Sequence, residues 1–156
     1  LHSPYTLSLH DALPILVAEV LMFLGMSRIL TRFSLRRVLM ASFLLAALRW
    51  LLLGAFAEFF WVLLLAQVMH AATFGSFHAA AIAFVQRSFG ARQQGQGQAL
   101  YAALAGTGGA LGALYAGYSW NLLGPTLTFS IASVAALAAA LIIGFRLHEQ
   151  NQGTVL

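Results

Sequence analysis

The chain has 156 residues, 61% of them hydrophobic and only 8% charged, and its formal charge of +4 arises from eight arginines against four acids, with no lysine. A water-soluble domain of this size would leave too much apolar surface in water, so the composition points to a membrane protein. The absence of cysteine removes disulfide frameworks and thiolate chemistry, and the arginines cluster in short connections between apolar segments, which argues against nucleic acid as a partner.

Residues 1–14, LHSPYTLSLHDALP, differ sharply from the apolar segment that begins at Ile15. They show no helical apolar stripe, no initiator methionine, no basic n-region and no cleavage motif, so they do not form a signal peptide. We read them as a non-native or disordered leader, closer to a translated adapter or assembly scar than to a natural extension. His2, His10 and Asp11 lie here without the neighbouring ligands that would complete a metal site. The chain as a whole reads as the tail of something longer.

From residue 15 to 147 the pattern is that of an all-α, polytopic membrane helix bundle. Five transmembrane spans are expected, at about 15–29, 38–56, 60–82, 97–119 and 125–145, against a hydrocarbon core ~30 Å thick. The connection after the first span, Ser27-Arg-Ile-Leu-Thr-Arg-Phe-Ser-Leu-Arg-Arg37, carries Arg28, Arg32, Arg36 and Arg37. The next, around Glu58, carries no base. The third holds Arg87 and Arg92, the fourth (Asn121-Leu-Leu-Gly-Pro125) none, and Arg146 leads into a short polar tail, 148–156. Strict alternation of this kind places the basic connections and the C-terminus in the cytoplasm by the positive-inside rule. Trp61 and Trp120 fall at the two outer boundaries, where an aromatic belt belongs.

Between the third and fourth spans, Gln93, Gln94, Gln96 and Gln98 fall among Gly90, Gly95 and Gly97 in a stretch that reads as a solvated connector. The fourth span is glycine-rich, and Gly108 and Gly112 make a small-xxx-small step that favours close helix packing. It is not a phosphate loop, since no Lys-Ser/Thr comes after the glycines and no strand precedes them.

Glu19, Arg49 and His70 are the candidate functional residues. With a rise of ~1.5 Å per residue, Glu19 and Arg49 lie roughly 15 Å from the cytoplasmic ends of their spans and His70 roughly 15 Å from its outer end, all near the midplane. Ionisable groups at that depth are costly and imply a functional site, and the midplane is where secondary transporters place substrate and coupling ions. Glu19 is expected to be protonated or paired with Arg49. Arg49 left to itself would attract an anion, its planar fork suiting a carboxylate. The competing readings are a buried Glu19–Arg49 pair that only holds the bundle, and a His70 that only packs. On a helical wheel, Gln67, His70, Thr73, Phe74 and Phe77 share one face, a polar and aromatic stripe suited to lining a cavity. Tyr101 and Tyr115 are candidates to add polar tips from the next span, and His78 to pack or gate nearer the cytoplasm.

No enzyme constellation, cofactor motif or metal site emerges: the serines lack an adjacent base, and His70 with His78 has no third ligand nearby. The open alternatives are a transporter of either direction and a five-helix accessory membrane protein with no transport cycle of its own.

The first basic connection resembles the cytoplasmic loop between the second and third helices of each half of major facilitator superfamily transporters, with Arg28, Arg32, Arg36 and Arg37 at basic positions and Ser34 where a glycine is usual. Val17-Ala-Glu-Val20, Leu48-Arg-Trp50, Gln67-Val-Met-His70 and Thr73-Phe-Gly-Ser-Phe-His78 are similar to the C-terminal half of the proton-linked phenylpropionic-acid permease group, kin to galactoside and nucleoside symporters. The resemblance implies helices eight to twelve of a twelve-helix protein of the bacterial inner membrane. It further implies an N-terminal half of the same transporter as partner, and proton-coupled movement of a small organic solute. Drug or metabolite efflux is the alternative within the same superfamily. Glu19, Arg49 and His70 match, in type and helix, residues that serve substrate binding and proton coupling in the galactoside symporter; position 73, where that protein has a second acid, is Thr.

Overall fold

The computed structural model describes residue 20, residues 24–26 and residues 28–152, with side chains described as far as Arg146. The leader 1–14, Glu19 and most of the first expected span lie outside the described residues. The described part of that span is helical, ending at Arg32.

Helix α1 spans Leu35–Phe56, α2 spans Phe60–Ser88, and α3 runs Gln94–Gln152 after a short 3-10 turn at Ala91–Gln93. No strand occurs among the described residues. Ser34 opens α1 with extended backbone, its hydroxyl accepting a hydrogen bond from the Arg37 amide and satisfying one of the free donors of the first turn. α2 closes with the Phe89 amide donating to the Val85 carbonyl. The Gln94 side chain then donates to the carbonyls of Gln86 and Phe89 at 2.9 and 2.7 Å, tying the connector to the end of α2. The glutamine-glycine connector is therefore shorter than the sequence implies.

These helices are apolar enough and long enough to cross a membrane, and beside a buried apolar cluster of Met26, Leu35, Val38 and Leu39 they turn many large apolar side chains outward. Leu44, Leu48 and Leu51 of α1 and Trp61, Leu65 and Val68 of α2 face outward. Many of the positions buried between helices are small or weakly polar: Ser42 and Ala47 on α1, and Ala71, Thr73, Ser76 and Ala80 on α2. Between helices in lipid there is no hydrophobic drive, so close approach of small residues and hydrogen bonds across the seam carry the association. Ser42 and Ser76 meet across the α1–α2 seam at 2.6 Å, and Ser133 of α3 donates to the Ala47 carbonyl at 2.9 Å.

A straight helix of 59 residues would be ~88 Å long, nearly three times the hydrocarbon thickness of ~30 Å. α3 is not straight. Gly124, with φ 77° and ψ 171°, interrupts it ahead of Pro125, in a region that only glycine visits without strain. The Tyr115 hydroxyl donates to the Thr128 carbonyl at 2.9 Å, although 13 residues of continuous helix would hold those backbones ~20 Å apart. α3 thus folds back on itself into two arms. The first arm runs antiparallel to α2, with Tyr101 beside His78. The second runs antiparallel to α1, with Phe129 against Trp50 and Gly144 beside Met40.

Gly54 fixes how closely α1 approaches the second arm: a Cβ there would lie 3.2 Å from both the Phe129 Cβ and the Thr126 carbonyl oxygen. Gly108 and Gly112 differ. Both are exposed, and a Cβ on either would meet nothing within 4 Å, so the close approach expected at this step is not made within the described residues.

Candidate functional site

Antiparallel packing of α1 on α2 sets the register of the site. Ser42 faces Ser76 and Phe43 meets Phe77 edge-on at 5.4 Å, so the α1 turn that carries Arg49 comes level with the α2 turn that carries His70. There the two helices flank an open pocket of about 160 Å³ lined by Ser42, Phe43, Ala46, Arg49, His70, Thr73, Phe74 and Phe77. Five of the residues expected to form the site therefore meet: Arg49, His70, Thr73, Phe74 and Phe77.

Arg49 is held from one side. Its guanidinium carbon sits 4.0 Å from the Trp50 ring centroid, and Trp50 is itself stacked on Phe129, which meets Trp120 edge-on. The Arg49 Nε is buried without a hydrogen-bond partner among the described residues. A cation over an aromatic face is stabilised and oriented by it, and a buried donor that has no partner is costly to leave so. The combination suits an anion arriving in the pocket.

The opposite wall is aromatic. His70 lies against Phe74 with ring centroids 5.6 Å apart, and Phe74 lies 4.2 Å from His78 in an edge-to-face contact. Thr73 is buried and donates its hydroxyl to the His70 carbonyl at 3.0 Å, which leaves the oxygen able to accept a further bond.

Other expected residues go elsewhere. Gln67 is exposed and not part of the pocket lining. Tyr101 is hydrogen-bonded to Nδ1 of His78, joining α2 to the first arm of α3, and Tyr115 closes the α3 hairpin on Thr128. Neither tyrosine lines the Arg49 pocket. Glu19 lies outside the described residues. Of the loop arginines, Arg28, Arg32 and Arg37 are exposed and Arg36 is half-buried.

Ser42, Phe43 and Ala46 line the pocket without standing out in the sequence. Ser42 and Ala46 come seven and three residues before Arg49, the spacing of one helical face, so a wheel drawn around Arg49 finds them as the α2 wheel finds its own set. Among the described residues no group of three or more His, Cys, Asp or Glu side chains could hold a metal ion.

The model of the MFS_1 like family matches residues 3–131. The chain belongs to the MFS_1 like family. Its place in the major facilitator superfamily makes it a multi-pass membrane protein of a transporter family. It is 32% identical over 124 residues to the probable 3-phenylpropionic acid transporter of Escherichia coli (strain K12), a match covering 76% of this chain and 31% of that protein. The chain thus accounts for about a third of the length of the relative it matches. No solved structure matches it.

Proposed function

We propose that this MFS_1-like chain is the C-terminal half of a proton-coupled symporter that moves a small organic solute by alternating access, with an aromatic carboxylic acid as the favoured substrate. The observation that carries the reading is Arg49, seated on Trp50 with a buried Nε that has no partner among the described residues, in a pocket walled by Phe43, Phe74 and Phe77. A carboxylate would satisfy the guanidinium bidentately, and an attached aromatic ring would fill the apolar remainder. The similarity to a protein named for 3-phenylpropionic acid supports the same chemistry.

In this reading the reversal at Gly124 divides α3 into two crossings, which with α1, α2 and the first expected span gives five. The basic connections and the C-terminus face the cytoplasm, and the membrane is the bacterial inner membrane. The N-terminal half of the same transporter completes the site, the two halves rocking around it. Glu19 is the coupling carboxyl, protonated in one conformation and paired in the other, with His70 donating to substrate or sharing the proton.

The test is uptake of labelled 3-phenylpropionate by the complete gene product in proteoliposomes under an imposed proton gradient. Accumulation is expected for the carboxylate and not for its neutral amide. Glu19→Gln is expected to abolish accumulation while exchange persists. Equal transport of the amide would refute the Arg49 reading, and intact accumulation by Glu19→Gln would remove that residue from coupling.

A further inference from the structure

Two residues at the start of α1 head two stripes that leave the helix in different directions. Arg36, Met40 and Leu44 succeed one another at four-residue spacing, and so do Arg37, Ala41 and Leu45, each set stacked along one line of the helix surface. Both stripes line grooves. The first, about 490 Å³, lies between α1 and the second arm of α3, where Leu137, Leu141 and Phe145 form the facing wall. The second, about 470 Å³, lies between α1, the helical residues before it and α2, with Met26, Phe33 and Ala72 opposite. In each groove a single arginine is the only charged residue among the described lining, and it stands at the N-terminal end of α1.

We propose that these grooves are berths for anionic phospholipid, one on each side of α1, with an acyl chain along each apolar stripe and the phosphate at Arg36 or Arg37. Charge and depth together support the placement. Four arginines and no acid occupy residues 28–37, so the N-terminus of α1 meets the headgroup region at a level rich in positive charge. Basic pockets between membrane helices on the cytoplasmic side bind anionic headgroups. A small soluble anion would need further polar groups to orient it. Among the described lining the Arg36 groove offers none besides the arginine, and the Arg37 groove offers only Ser42 and Ser76, whose hydroxyls are bonded to each other. A zwitterionic headgroup would find no acidic side chain for its ammonium group among the described lining of either groove. This inference rests on the membrane-spanning reading but not on the substrate, the proton or the Arg49 pocket.

The experiment is native mass spectrometry of the complete gene product in detergent, titrated with phosphatidylglycerol, with phosphatidylethanolamine and with inorganic phosphate. Phosphatidylglycerol is expected to bind selectively. Arg36→Gln and Arg37→Gln are each expected to weaken that binding about fivefold, equivalent to about 1 kcal/mol per basic residue. Ala41→Phe, which fills the Arg37 groove without altering charge, is expected to lower the number of bound lipids. The double variant Arg28→Gln/Arg32→Gln removes twice the charge of either single variant from residues that line neither groove, and is expected to weaken binding by less than either single variant. Equal binding of both lipids, equal loss in that double variant, or displacement of lipid by inorganic phosphate would each overturn the proposal. Because the readout is lipid retention and not uptake, it can fail while the transport reading stands, and the reverse.

Discussion

At the scale of single residues, the chemistry of the site turns on how Arg49 is held. Lysine at this position would keep the charge but lose both the planar stack on Trp50 and the two-point grip on a carboxylate. Arg49→Lys is therefore expected to raise KM for an aromatic carboxylate by about tenfold or more, the equivalent of ~1.4 kcal/mol, read from initial uptake rates. In the proposed site Trp50 acts through Arg49, whose guanidinium lies over its ring. A desolvated cation–π contact is worth about 1–2 kcal/mol, so Trp50→Leu is expected to raise KM by roughly 5- to 30-fold, with Trp50→Phe retaining most of the affinity. A fall in kcat at constant KM in Trp50→Leu would show that the ring stabilises the fold and does not position the guanidinium. The α2 half of the pocket was legible from periodicity alone, because His70, Thr73, Phe74 and Phe77 recur at helical spacing. On α1 only Arg49 was singled out, although Ser42 and Ala46 lie on its face, because a wheel groups residues on one helix without saying which neighbour faces them; the Ser42–Ser76 contact that sets the register joins two small polar residues with no signal of their own.

At the scale of elements, glycine positions separate close packing from open surface. At Gly54 an added methyl would press on backbone at 3.2 Å, and backbone cannot rotate away, so a larger side chain must push α1 from the second arm of α3. Gly54→Leu is expected to cost about 1–3 kcal/mol of stability by overpacking, measured by thermal unfolding in detergent, and Gly124→Ala a similar amount through its positive φ. Gly108→Ala meets open space and is expected to leave stability unchanged or raise it slightly, since alanine is the better helix former. A larger loss at Gly108 than at Gly54 would mean that the small-xxx-small step is a packing site after all. The sequence pattern that flagged Gly108 and Gly112 did not flag Gly54, whose neighbours at four-residue spacing are Trp50 and Glu58. Small-residue spacing reports capacity for close approach, whereas the approach itself depends on which helix arrives.

At the scale of the molecule, topology turns on α3. Composition and the alternation of arginines were enough to read a helical membrane bundle, and the family match agrees; the division of α3 into two crossings rests on one glycine, one proline and the hydrogen bond that folds Tyr115 onto Thr128. Two crossings put Leu122 at the aqueous boundary opposite Gln93 and return Arg146 to the side of Gln93. A single crossing would put Gln93 and Arg146 on opposite sides, with Leu122 between them. Because the chain contains no cysteine, single cysteines introduced here can be read without background from this part of the protein. Cysteines placed at Ser34, Glu58, Gln93 and Leu122 are expected to react in two sets with a membrane-impermeant maleimide on cells whose outer membrane has been made permeable. Glu58 and Leu122 react at once, Ser34 and Gln93 only after the inner membrane is opened. The excess of arginine in the connections that hold Ser34 and Gln93 is the reason those two are expected inside. Labelling of Leu122 only together with Gln93, or not at all, would reduce α3 to a single crossing, and the arginines on either side of it would then no longer obey one positive-inside pattern.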